Sequence, residues 1–151
     1  MSSTTISIPS TRPVVAVVRG DSAAGVSRAR QAARAFTDRL TPASRPDMAD
    51  ALVLVVSELA TNALRHGGGS FSVRLTAHPD AVEVAVDDVS PRMPRLRAPD
   101  LTDDGGGFGW PMVNRLARTT AITRRRAGGK TVTAFLPRGA SAPASSTPSP
   151  A

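Results

Sequence analysis

Hydrophobic positions along this chain change period several times, and each change predicts an element. Residues 14–18 form a β-branched run bounded by Pro13 and Gly20, which reads as a strand. Over residues 22–40 small and apolar positions recur with arginine at helical spacing, so a helix is expected. Pro42 and Pro46 then interrupt the pattern. Asp47 is the expected N-cap of a second helix running to about His66, closed by three glycines at 67–69. Period-two alternation over 70–77 and 81–87, around a turn at 78–80, predicts a hairpin. Residues 90–107 are rich in Pro, Asp and Gly and read as a long loop; in a compact domain such length usually belongs to a lid or a binding loop. A helix over 110–117 and two strands, 119–126 and 131–136, complete the pattern, the strands meeting at a turn over 127–129. Helices segregated from hairpins give an α+β fold: a two-layer sandwich of helices on a mixed, mostly antiparallel sheet.

The two ends fall outside this pattern. Residues 1–11 and 139–151 contain no charged side chain, and the second stretch is Ala/Ser/Pro-rich, so both read as disordered tails around one domain at 12–138. With 151 residues and 40% hydrophobic positions, the chain can bury a core. Aromatic residues are only 3%, so that core must be built from Val, Leu, Ala and Ile. Cysteine is absent, which excludes disulfides and thiolate metal sites. No apolar run approaches the roughly 20 residues of a membrane helix, and residues 1–11 lack the basic start and apolar centre of a signal peptide. A cytoplasmic protein with no membrane partner is expected.

The net charge of +7 raises nucleic acid as a partner. Lys130 is the single lysine among 19 basic residues, and abundant Arg, Ala, Pro and Gly reflect a compositional bias as much as phosphate binding. The arginines are scattered apart from Arg124, Arg125 and Arg126, with no aromatic platform between them for stacking bases. Direct nucleic-acid binding is therefore not expected. An acidic protein or an anionic nucleotide uses the same charge.

Three segments carry candidate chemistry. On the second helix Glu58, Asn62 and His66 are spaced i, i+4, i+8 and share one stripe. Leu52, Val56, Leu59 and Ala63 form the adjacent core stripe, so the polar one lies at the edge of the buried face. A carboxylate and an amide there offer a proton acceptor and a metal ligand side by side; the alternative is the solvated edge of an amphipathic helix. At the strand exit, Val82, Val84 and Val86 share a face, and Asp88 continues it. A carboxylate there is costly unless hydrogen-bonded. Asp88 is thus the inward acid and Asp87 the outward one, unless the strand stops at Val86 and both are turn residues. Third, Gly105, Gly106, Gly107, Phe108, Gly109, Trp110 and Pro111 lead into a helix. Such backbone can approach phosphates and aim N–H groups at them, or can simply be flexible.

In this order the three segments resemble the GHKL superfamily of ATP-binding domains, which includes gyrase, MutL and the catalytic domains of histidine kinases. The similarity is closest to the small bacterial anti-sigma-factor serine kinases and runs over about residues 12–137. Glu58, Asn62, Ala63, His66 and Gly67 match the N-box; Asp88, Ser90, Met93 and Pro94 match the adenine box. Gly107, Phe108, Gly109 and the following Trp110, Pro111, Met112 and Val113 match the glycine box after the lid, while Gly129, Lys130 and Thr131 match the final strand motif.

The resemblance implies a Bergerat-type fold, ATP and Mg²⁺ as cofactors, and specific roles. Asp88 would accept the adenine 6-amino hydrogen bond, with Thr131 helping to hold the water beside it. Asn62 would coordinate Mg²⁺, and Glu58 would be the catalytic base. His66, Ser90, Met93, Gly107, Phe108 and Gly109 would complete the ATP site under a lid at 95–106. It also implies a serine/threonine protein kinase that acts as an anti-sigma factor, phosphorylates an anti-sigma-factor antagonist, and forms a homodimer. Two boxes depart from the pattern: Ser90 and Arg92 stand where glycines are usual, and no basic residue lies between Arg97 and Arg115 to clamp phosphate from the lid. The alternative expectation is a non-catalytic ATP-binding switch that selects protein partners. A detached histidine-kinase catalytic domain is disfavoured, since no phospho-accepting helix pair precedes Arg12.

Overall fold

The computed structural model describes residues 15–90 and 109–138. The expected tails, the lid at 95–106 and Arg92, Met93, Gly107 and Phe108 lie outside the described residues. The element order is β1 (Val15–Gly20), α1 (Ala23–Asp38), α2 (Pro46–His66), β2 (Phe71–Ala77), β3 (Ala81–Asp88), α3 (Gly109–Leu116), β4 (Thr119–Arg124) and β5 (Lys130–Pro137). The strands form one sheet in the order β1-β2-β3-β5-β4. All four pairings among the described residues are antiparallel, in keeping with the mostly antiparallel sheet expected from the sequence. The α+β two-layer arrangement is as expected.

The helices cover one face of the sheet. On α2, Leu52, Val55, Val56, Leu59, Ala60 and Ala63 are buried, at the three-to-four-residue spacing that gathers side chains on one stripe. Val26, Ala29, Ala33 and Phe36 do the same for α1. They meet Val73 and Leu75 of β2, Val82, Val84 and Val86 of β3, and Val132, Ala134 and Leu136 of β5 in a single core. Full burial of a valine or leucine contributes about 1.5–3 kcal/mol. Those contributions fix the register, because a slip by one residue would turn Glu83 and Asp87 into the core.

Element ends follow local chemistry. Ser22 occupies the N-cap of α1 in extended conformation. The N-cap of α2 is Arg45, with Pro46 at the first helical position and Asp47 inside the first turn. This corrects the expected Asp47 cap: proline's missing N–H and fixed φ suit the first turn, and Asp47 still complements the helix dipole there.

Candidate functional site

The site forms where α2 ends against the outgoing end of β3. Gly67 closes α2 by donating its N–H to Ala63 O at 2.8 Å, and its own carbonyl accepts from Val89 N–H at 3.1 Å. Helix α2 and the strand exit, 21 residues apart in the sequence positions of Gly67 and Asp88, are thus tied directly together. Strand β3 runs through Asp88, so the turn-residue alternative for the two aspartates does not hold.

Asp88 is 4% exposed. Its Oδ1 accepts the Ser90 backbone N–H at 2.9 Å, and its Oδ2 lies 2.9 Å from Lys130 Nζ. Two glycines make this seat. A Cβ on Gly67 would fall 2.6 Å from Asp88 Oδ2, and one on Gly129 would fall 2.0 Å from the Asp88 carbonyl oxygen. Gly129 also has φ of 84°, which side chains adopt only with strain. The carboxylate therefore sits against the C-terminal, partially negative end of α2. The Lys130 ammonium supplies the compensating charge.

Asp87 points to the other face. Thr131 Oγ1 donates to Asp87 Oδ1 at 2.5 Å, and Arg74 and Arg125 approach the same carboxylate at 3.9 Å each. Thr131, expected beside Asp88, is therefore on the opposite side of the sheet. The register explains it: Asp88 stands across from Lys130, and Asp87 across from Thr131. Lys130 was the residue that the sequence reading missed. The signal was available in the alternation of β5, whose Val132, Ala134 and Leu136 all face inward and place 130 with them.

Of the helix stripe, Glu58 and Asn62 are half-buried at the edge of the core, as expected, and His66 is exposed in the last turn of α2. Neither Glu58 nor Asn62 hydrogen-bonds another described residue through its side chain. Hard oxygen ligands of this kind suit a cation held mainly by phosphate oxygens and only one or two protein groups. No cluster of three or more His, Cys, Asp or Glu that could hold a metal by itself occurs among the described residues. Gly109 opens α3, which packs on α2.

An open depression of about 500 Å³ lies where β1 ends and β2 begins and reaches the outgoing end of β3, with Arg19, Asp21, Arg28, Asp87, Asp88 and Arg125 in its wall. Its arginines are offset by nearby carboxylates, and the Glu58–Asn62–His66 stripe does not line it. No helix among the described residues is long and apolar enough to cross a membrane.

Residues 21–136 match the family described as histidine kinase-like ATPase domain. The chain is also similar to the histidine kinase domain of the E. coli osmosensor EnvZ, solved by NMR. The identity is 19% and the TM-score 0.42, over 68% of this chain and 73% of that one. No curated protein matches the chain.

Proposed function

The chain belongs to the histidine kinase-like ATPase domains, and from that membership we propose that it is an ATP-dependent serine/threonine protein kinase acting as an anti-sigma factor. Its substrate would be a hydroxyl of an anti-sigma-factor antagonist, and it would sequester a sigma factor, as a homodimer in the cytoplasm. The observation that carries the nucleotide half of this reading is the buried Asp88 carboxylate, seated between Gly67 and Gly129 at the C-terminal end of the helix that bears Glu58 and Asn62. A carboxylate with spare lone pairs at the end of an apolar strand face is suited to accept from the amino group of an adenine. Ser90 fixes its orientation through the backbone N–H.

Asn62 would hold Mg²⁺ through its side-chain oxygen. The cation, when bound, neutralises charge on the phosphates. Glu58 lies one helical turn before Asn62 and has no described partner, so its carboxylate is free to take a proton. In the proposed transfer the acceptor serine oxygen attacks the γ-phosphorus, its proton passes to Glu58, and the bond to the β–γ bridging oxygen breaks. ADP leaves with that electron pair. Positioning and charge stabilisation supply most of such a reaction's acceleration.

The altered boxes favour a second reading, the non-catalytic switch: Ser90 and Arg92 stand where glycines are usual, and no basic residue lies between Arg97 and Arg115 to clamp phosphate. A single experiment separates the two. Partners are captured from the native lysate with and without Mg-ATP, and γ-labelled ATP is then added. Label on a partner serine or threonine supports the kinase. Nucleotide-dependent capture with no transfer supports the switch, and no ATP binding at all overturns both.

A further inference from the structure

Lys130 is the chain's single lysine, and its side chain is 6% exposed against 4% for its partner Asp88. Lysine is seldom buried to this degree, and a buried ammonium keeps its charge only against a partner. The roles proposed above leave this residue without a task. Yet its seat is built: Gly129 lets β5 close onto the Asp88 carbonyl, and register sets Lys130 directly across from Asp88 on the inward face.

The hydrogen-bonding capacity of the pair is not exhausted. An ionised carboxylate offers about four lone-pair positions; the Ser90 N–H takes one on Oδ1 and Lys130 one on Oδ2. The ammonium has three N–H donors, of which Asp88 takes one. The pair therefore presents an acceptor and a donor side by side. A 6-aminopurine carries the complement on its edge, an amino N–H next to the N1 acceptor. A 6-oxopurine carries the reverse, an acceptor at O6 next to an N1–H donor.

We infer that Lys130 is a base-reading residue: its ammonium donates to ring N1 of adenine while Asp88 accepts from the 6-amino group. The inference rests on the proposed ATP site at Asp88 and adds to it the residue that makes the site selective for adenine over guanine. In the same pose guanine would set O6 against the carboxylate and N1–H against the ammonium, leaving polar groups unpaired on both sides. Displacing the ammonium to make room would leave two buried charges apart, which is strongly unfavourable. A base that binds the intact pair avoids that cost.

The test uses the full chain and calorimetric titration with ATP, with 1-deaza-ATP, in which N1 is replaced by CH, and with GTP. Wild type should bind 1-deaza-ATP roughly 10- to 100-fold more weakly than ATP, the range of a lost charge-assisted hydrogen bond. GTP should be weaker by at least as much. Lys130→Met should bind ATP and 1-deaza-ATP alike, and Lys130→Gln, which retains an N–H donor, should recover part of the discrimination. Equal wild-type affinity for ATP and 1-deaza-ATP would overturn the inference while leaving the ATP site standing. So would undiminished discrimination in Lys130→Met, or tighter ATP binding by that variant, which would make the lysine a plug. Failure of wild type to bind ATP would remove the site and the inference together. The wild-type analogue series needs no variant, so misfolding of Lys130→Met cannot hide the answer.

Discussion

Replacing Asp88 by asparagine should destabilise the fold before any nucleotide is added. The pair with Lys130 is 2.9 Å long, with side chains 4% and 6% exposed. Removing one partner of a buried ion pair outright costs about 3–5 kcal/mol, because the other charge stays behind in low dielectric. Asparagine keeps an oxygen for the Ser90 N–H or the ammonium, so the loss should lie nearer the about 1.5–3 kcal/mol of a hydrogen bond to a charged group. For a domain of this size each kcal/mol moves Tm by about 2–4 °C, giving a fall of about 3–12 °C. Asp87→Asn provides the contrast. Its cationic partners stand at 3.9 Å on the open face, where such pairs contribute about 0–1 kcal/mol, and an amide oxygen can still accept from Thr131.

Thermal and urea unfolding followed by circular dichroism, at physiological and at high salt, reads both variants. The Asp88→Asn loss should persist in salt, since screening barely reaches a buried pair. The double variant Asp88→Asn with Lys130→Met should be less damaging than the sum of the singles by roughly 0.5–3 kcal/mol, the usual range of coupling between contacting residues. An Asp88→Asn protein that melts with wild type, a larger loss from Asp87→Asn, or strict additivity in the cycle would refute the assignment of this pair to the core.

Three further outcomes are expected. Asn62→Ala should weaken ATP binding much more in Mg²⁺ than in EDTA, by calorimetry; equal losses in both would make Asn62 structural. Glu58→Gln should leave ATP affinity within a few-fold of wild type and slow phosphoryl transfer by about 10²–10⁴, the range for losing a general base; undiminished transfer to a captured partner removes Glu58 from the mechanism. Gly129→Ala should lose stability to both a strained backbone, about 1–2 kcal/mol, and an overlap with the Asp88 carbonyl, a further 1–3 kcal/mol or so. Gly128→Ala, also at positive φ but with nothing within 4 Å of its added Cβ, should lose only the first part, and equal melting of the two would show that β5 does not need the close approach.

How much of this was legible in the sequence depends on how local each determinant is. The first helix was expected over 22–40 and runs Ala23–Asp38 behind its Ser22 cap, and the second ends at His66 as expected, because apolar period and flanking Ser or Gly are local signals. Asp88 was legible as the inward acid for the same reason: three valines at alternate positions point the way to it. The sheet order was not, since β5 inserts between β3 and β4 through pairings that no local pattern encodes. Direction was legible, since hairpins predict a mostly antiparallel sheet and every described pairing is antiparallel.

The identity of the group facing Asp88 was lost between these two scales. Matching motifs drew attention to Thr131, but adjacent rungs of the β3–β5 ladder face opposite sides, and the register pairs Asp88 with Lys130 and Asp87 with Thr131. What sets that register is not the polar residues at all. Val82, Val84 and Val86 on one strand and Val132, Ala134 and Leu136 on the other must share the core face, and any one-residue slip would expose one of these sets. The hydrophobic packing of six small side chains thus decides which residue meets the carboxylate. A lysine at the last inward position, which by residue type alone belongs on the surface, is carried into the site by the strand on which it ends.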